Sequence, residues 1–238
     1  MNRSAFPAAR VRCDEWMDDP DIDPEVHRRA LRGLRRLNAV SGIGPRMARR
    51  VLDLTAGIGD RPVRLLDIAS GSGDLPIRYA RAFRRRGRVA SITCSDISET
   101  ALADQQSLAE RSGVEVRSIR YDVLNDPPPG RFDLITNSLF LHHLDDGDLP
   151  RVLRTMASIA DHGLVSDLVR SRINLKMVSV AAKAVTRSPV VYHDGRVSVR
   201  QSLTPDELRG FAKTAELPAA RVRKIFPCRM VLTWGGRH

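Results

Sequence analysis

Asp67, Asp96, Asp122, Asn137 and Ser138 each close a short apolar run in the first part of the 238-residue chain. Polar groups at the ends of successive buried runs collect along one edge when those runs become a sheet. After the first run comes Ala69-Ser70-Gly71-Ser72-Gly73, a stretch almost without side chains. A ligand can approach such a backbone closely. Asp74 then opens a helix-forming segment, whose first N–H groups lack partners of their own and face the same place. These residues can hold a nucleotide-like cofactor. Leu139-Phe140-Leu141-His142-His143-Leu144 follows the fourth run and brings two imidazoles to the same edge. With an unperturbed pKa near 6.5, an imidazole can take a proton from an acidified phenol. One of His142 and His143 is expected to face the ligand, and a helix-start histidine bonded to backbone is the other reading of the pair. His193, in Tyr192-His193-Asp194-Gly195, reads as a further base or as a turn residue.

The loop narrows the choice of cofactor. A dinucleotide fingerprint needs a third glycine where Pro76 stands, and no Gly-Lys-Ser/Thr follows to make a phosphate loop. Asp96 lies 23 residues past Gly73, where a carboxylate can accept two hydrogen bonds from a ribose diol. Asp122 can accept from the exocyclic amine of an adenine, and Asn137 and Ser138 fall near the reactive end. Aspartates at strand ends are also common turn formers.

These groups need an alternation of strands and helices to position them. Val63–Ile68, Val89–Ser95, Val116–Asp122, Phe132–Asn137 and Leu164–Leu168 read as strands. Helices are expected over Asp74–Arg86, from Ser98 as N-cap to about Ser112, and from about Asp148 to Ala160. Such alternation gives right-handed crossovers and a parallel sheet covered on both faces. Ala220–Ile225 and Met230–Trp234 have no helix between them and must pair antiparallel. Thr204-Pro205-Asp206-Glu207 fits a capping box, and Ser198–Leu203 reads as a short segment before that helix. Upstream, Pro24–Val40 is helical by periodicity, Ser41–Pro45 breaks it, and a second helix carries Met47, Val51 and Leu54. Residues 1–20 look irregular, with Phe6, Trp16 and Met17 as anchors, and Pro20–Pro24 reads as a turn. Ile173–Val185 is an apolar-rich helix.

At this point the chain resembles the class I S-adenosylmethionine-dependent methyltransferases. Asp67-Ile68-Ala69-Ser70-Gly71-Ser72-Gly73 is similar to their first motif, with Ala69 where a glycine is usual. Asp96 matches the ribose acid, Asp122-Val123 the adenine contact, and Phe132–Asn137 the fourth-strand motif. The resemblance is strong over roughly residues 62–168. It implies an α/β fold: a doubly wound, Rossmann-like, seven-stranded, mostly parallel sheet with an antiparallel last strand, plus an N-terminal helical lid. The lid would be residues 1–60 and the methyltransferase domain 61–238, with a substrate-side insertion at about 171–200. The implied cofactor is S-adenosyl-L-methionine, held by Asp67, Ala69, Ser70, Gly71, Gly73, Asp74, Asp96, Ile97, Asp122, Val123, Asn137 and Ser138. His142, His143 and His193 are the implied catalytic candidates.

Asp18-Asp19-Pro20, the His-His pair and Asp194–Arg200 look similar to methyltransferases found beside type III polyketide synthases, and to those of quinone biosynthesis. That implies a small, largely apolar acceptor and O-methylation of a phenolic or polyketide-derived ring. Alternatives are C-methylation of a quinone precursor, RNA methylation, and a cofactor-binding partner protein without chemistry.

Composition bears on these. The formal charge is +11, but only four of the 39 basic residues are lysine, the arginines are dispersed, and few aromatics are present to stack bases. Nucleic acid is therefore not the expected partner, and Asn137 is not followed by the Pro-Pro-aromatic sequence used on exocyclic amines. A basic surface also suits anionic membranes or acidic partners. Cys13, Cys94 and Cys228 show neither pairing nor metal spacing, so no metal is expected. With no apolar signal core and no run long enough to span a bilayer, a cytoplasmic protein is the expectation.

Overall fold

The computed structural model describes residues 9–19 and 21–235. Phe6 and Pro20, read above as an anchor and part of a turn, lie outside the described residues. Seven strands form one sheet: β1 (Val63–Ile68), β2 (Ala90–Asp96), β3 (Arg117–Arg120), β4 (Phe132–Ser138), β5 (Ala160–Leu168), β6 (Arg221–Ile225) and β7 (Arg229–Trp234). Their order is β3-β2-β1-β4-β5-β7-β6. The first five run parallel, while β7 is antiparallel to both β5 and β6. Strand order reverses between β1 and β4, and ligands of open α/β sheets bind outside the carboxyl ends of strands at such a point.

The helices are α1 (Pro24–Val40), α2 (Ile43–Leu54), α3 (Asp74–Arg85), α4 (Glu99–Ser112), α5 (Asp148–Ile159), α6 (Arg172–Val185), α7 (Pro189–Gln201) and α8 (Pro205–Thr214). Successive strand residues face opposite sides, so Leu65 and Leu66 enter different layers. Leu65, Leu134, Leu164 and Val231 pack with Met47 and Val51 of α2 and with Tyr79 and Phe83 of α3. Leu66, Ile135, Val165 and Leu232 pack with Val152 and Met156 of α5 and with Leu208 of α8. A third cluster stands apart from the sheet, where Ala30 of α1 meets Ala182 of α6 and Val191 of α7, with Leu34, Leu37 and Tyr192 against them. This cap joins residues far apart in sequence.

Local signals act where they were read. The Ser98 side chain accepts from Ala101 N, and Thr204 and Glu207 close a reciprocal capping box. Three readings are corrected. First, α2 begins at Ile43, because Gly42 alone (φ 65°) makes the turn out of α1. Second, the strand expected to reach Asp122 ends at Arg120. Third, Tyr192–Gly195 is not a turn but the middle of α7, which continues through Ser198 to Gln201. Ser188 caps that helix with Pro189 in its first turn. Gly195 is needed for packing: a Cβ there would lie 2.9 Å from Val178 Cγ1 of α6.

Candidate active site

The loop between β1 and α3 is wound tightly. Ala69, Gly71 and Gly73 all have positive φ, at 49°, 52° and 74°. The two glycines take this conformation without penalty, whereas Ala69 carries a strain of order 1–2 kcal/mol. Hydrogen bonds hold the loop in place. Ser70 Oγ donates to the Asp67 carbonyl at 2.8 Å, and Ser70 N to the Ser95 carbonyl at 2.9 Å. Gly71 N donates to Asp96 Oδ2 at 2.8 Å, and Gln105 Nε2 donates to the Gly71 carbonyl at 3.0 Å. Asp96 also accepts from Ser98 N at 3.1 Å, so one carboxylate ties the loop to the start of α4.

Three acids converge on this loop. Asp67 is fully buried at the end of β1 and accepts from Thr136 Oγ1. Burial raises its pKa to about 7; Thr136 and Ser70 oppose the shift, while the charges of Asp74 and Asp96 add to it. Burial also pushes Asp74 and Asp96 up. Asn38 and nearby arginines counter this at Asp74, and the N–H groups of Ser98, Gly71 and Ile97 counter it at Asp96. Carboxylates gathered and desolvated in this way suit a cationic ligand, which favours their ionised forms.

The remaining cofactor candidates divide. Ile97 is 60% exposed beside Asp96 and offers open apolar surface to a flat base. Val123 is buried in the core under α5. Asp122 lies beyond β3, and its carboxylate accepts from Leu124 N at 2.9 Å and Asn125 Nδ2 at 2.7 Å, so the turn-forming reading is realised there. Asn137 Nδ2 braces β4 to the Ile68 carbonyl at 2.9 Å, and its buried Oδ1 has no partner. Ser138 Oγ accepts from Arg229 Nη1 at 2.9 Å.

Beyond β4, Leu139 turns the chain at φ 62° and Leu141–His143 form one 3-10 turn. His142 is buried, with Nδ1 2.6 Å from Asp167 Oδ1 and Nε2 3.6 Å from Glu15 Oε1. Burial alone would lower its pKa, but the two carboxylates outweigh burial and bring it up to about 10. His142 is thus held toward its imidazolium form, and both its ring nitrogens face carboxylates, which leaves neither open to take a proton from a phenol. It acts instead as the centre of a buried Glu15–His142–Asp167 ion triad. Despite burial, the triad holds Asp167 and Glu15 below their usual carboxylate values.

The His143 ring lies tilted against that of His142, with centroids 4.3 Å apart and 33° between the ring planes. It is partly exposed, and its Nδ1 lies 2.9 Å from Asp18 Oδ2. His193 stacks on Trp16 with centroids 4.0 Å apart, its Nδ1 2.9 Å from Asp194, whose carboxylate accepts from Trp16 N and Met17 N. His193 therefore clasps the N-terminal segment, and His142 and His143 form the pair at the edge of the sheet. That segment is held further by Arg10, which donates to the carbonyls of His142, Leu144 and Gln201. Glu15, His142 and His143 bring ligating atoms within 4.8 Å of one another, a grouping that could hold a metal ion.

Sequence reasoning missed Glu15, Gln105 and Asp167, and named Asp18 only within a motif, not as the partner of His143. Asp167 had a signal, an acid in the apolar fifth strand, like the acids ending its neighbours. Glu15 and Asp18 lie more than 120 residues from the histidines, and Gln105 looks like an ordinary polar helix residue.

Residues 65–163 match a family model described as a methyltransferase domain. With the strand order and the loop–acid arrangement, this match makes the domain similar to the class I S-adenosylmethionine-dependent methyltransferases. A ubiquinone biosynthesis O-methyltransferase from Ralstonia nicotianae is 30% identical over 140 residues, covering 57% of this chain and 57% of that protein. The chain thus aligns with little more than half the length of that curated relative. Among solved structures, the plantazolicin methyltransferase BpumL, solved with a monoazolic desmethylPZN analog and SAH, superposes with TM-score 0.64 at 15% identity, covering 93% of each chain. An O-methyltransferase family 2 protein from Planctomyces limnophilus, solved with apigenin, gives TM-score 0.63 at 18% identity, covering 92% of this chain and 63% of that one. No described helix is long and apolar enough to cross a membrane.

Proposed function

We propose that this protein transfers a methyl group from S-adenosylmethionine to a small, largely apolar acceptor, with a phenolic or polyketide-derived hydroxyl as the receiving atom. The observation that carries this reading is the Asp18–His143 pair at the carboxyl end of β4, next to a cradle with one buried acid, Asp67, and two partly buried ones, Asp74 and Asp96. The relationship to an O-methyltransferase supports it. When bound, the cofactor supplies a methyl on a sulfonium, which has an excellent leaving group. The residues of this chain then need only position, exclude water and move one proton. Asp96 would accept from the ribose diol, Ile97 would lie against the adenine, and Gly71 and Gly73 would let the ligand approach the backbone. Asp67 and Asp74 would face its positive charges. Asp18 accepting from His143 Nδ1–H leaves Nε2 free to receive the phenol proton. Residues 9–19, with α1, α6 and α7, would form the lid over the acceptor.

The test is methyl transfer from labelled cofactor to phenolic lipids, quinone precursors and RNA. Turnover on a phenol with an O-methyl product supports the reading. A C-methyl product on a quinone precursor, or turnover on RNA alone, would overturn it. His143→Gln is expected to lower kcat by about 10²-fold or more while leaving SAH affinity within about twofold. Unchanged kcat would remove His143 as the base.

Asp67 adds a pH signature. Its pKa of about 7 means the carboxylate is mostly protonated at pH 6 and ionised at pH 8. A cation is bound better by the ionised form. Affinity for S-adenosylmethionine is expected to weaken by up to about tenfold from pH 8 to pH 6, with a like change for SAH, which keeps the ammonium, and a smaller one for methylthioadenosine, which lacks it. Equal pH dependence for SAH and methylthioadenosine, measured by calorimetry, would remove Asp67 from contact with the cation.

A further inference from the structure

We infer that Arg229 receives a ligand carboxylate beside the cofactor loop, an assignment that rests on the cofactor reading above. Arg229 is the first residue of β7, opposite Leu168 at the carboxyl end of β5. Its guanidinium reaches Ser138 Oγ at the end of β4 and Asn38 Oδ1 on α1, both at 2.9 Å. It is 7% exposed. Arg170, the other buried arginine among the described residues, pairs with Glu207 at 2.5 Å. Arg229 has no carboxylate within 4.0 Å among the described residues and both its side-chain partners are neutral; Asp167, already paired with His142, and Asp74 act on it only from farther away. A desolvated cation without a close counter-ion is costly, and a carboxylate with two oxygens matches its donors.

Asn38 explains how the charge stays available. Its Oδ1 accepts from Arg229, while its Nδ2 donates to Asp74 Oδ2 at 3.2 Å. One amide thus stands between a buried cation and a partly buried anion. The result is a positive and a negative pole bridged by a single side chain, with Asp67 adding to the negative side. That is the complement of an α-amino acid zwitterion, with its ammonium toward Asp74 and Asp67 and its carboxylate toward Arg229. The methionyl end of S-adenosylmethionine carries such a group. A carboxylate on the acceptor is the second source, because Arg229 also touches Ser138 at the reactive end of the sheet.

The probes are S-adenosylmethionine and its decarboxylated form, which keeps the sulfonium and the amine, measured by calorimetry on the full chain. The wild type is expected to prefer the carboxylated form by about tenfold or more. Arg229→Gln should erase that preference while affinity for the decarboxylated form persists, and Arg229→Lys should retain part of it. Asn38→Asp, which pairs the guanidinium internally without removing it, should erase it too and guards against a folding defect in Arg229→Gln. If the cofactor preference survives in these variants but discrimination between 4-hydroxybenzoate and phenol as acceptors is lost, the carboxylate is the acceptor's. The assignment is overturned if both preferences match the wild type in Arg229→Gln and Asn38→Asp, or if the wild type shows neither preference. Failure of the wild type to bind either cofactor form overturns the cofactor reading itself.

Discussion

Asp96→Ala is expected to weaken SAH binding by about 100-fold or more, read by calorimetry, with the circular dichroism spectrum retained. Asp96 does two jobs already in the free protein: Oδ2 holds Gly71 N at 2.8 Å, and Oδ1 holds Ser98 N at 3.1 Å. Removing the carboxylate frees the middle of the loop and leaves two N–H donors without their partner. Hydrogen bonds to charged groups contribute roughly 1.5–3 kcal/mol each, and the ribose diol would lose its acceptor as well. A loss of about 3 kcal/mol corresponds to roughly 100-fold in affinity. Asp96→Asn keeps the shape and one acceptor oxygen, so it should fall between wild type and alanine. If Asp96→Ala binds SAH like the wild type, the ribose assignment is wrong, and with it the reading of the loop as an adenosine cradle.

The sheet was legible because its signals are local. Val63–Ile68 is an apolar run broken by Arg64 and Asp67, and a fully covered parallel strand needs such a run. Ser98, Thr204 and Glu207 are caps whose chemistry lies within three residues. Asp96 was equally readable, as an acid at a strand end a fixed distance from a glycine loop. The cap and the histidine environment were not. Gly195 resembles a turn glycine in sequence, and only the crossing of α6 over α7, with Val178 against it, explains why it sits inside a helix. His142 and His143 are chemically identical neighbours. Their environments differ because Asp167, 25 residues later, and Glu15, 127 residues earlier, both approach the first of them. Asp122 shows the converse: its residue type fitted a ligand contact, yet its carboxylate completes its own turn. One-dimensional spacing identifies which groups can reach the sheet edge. The partners that fix their protonation come from long-range packing.

His142→Leu is expected to destabilise the fold by about 3–5 kcal/mol at pH 7, the range for removing one member of a buried ion pair. At this chain length that corresponds to a fall in Tm of roughly 6–20 °C. The variant leaves Asp167 and Glu15 buried without the cation between them. The pH dependence identifies the cause. His142 is raised from 6.5 to about 10 in the fold, so its stabilisation is complete below about pH 6.5 and disappears as pH rises through 10. Asp167 and Glu15 are held below their unfolded values, so their stabilisation exists above roughly pH 4.5 and disappears as pH falls through the lowered values. The deficit of His142→Leu should therefore be largest between about pH 5 and 9, and shrink toward either extreme. Adding Glu15→Gln and Asp167→Asn to the same chain should recover much of the lost stability, because uncompensated charge rather than lost packing causes the deficit. Urea midpoints across pH measure all three variants. Glu15 also anchors the segment that Arg10 and Asp194 hold over the site, so proteolysis within residues 9–19 should accelerate in His142→Leu. A deficit that stays constant from pH 4 to pH 10 would mean that His142 is held as a neutral, packed side chain, and the imidazolium at the centre of the triad would have to be abandoned.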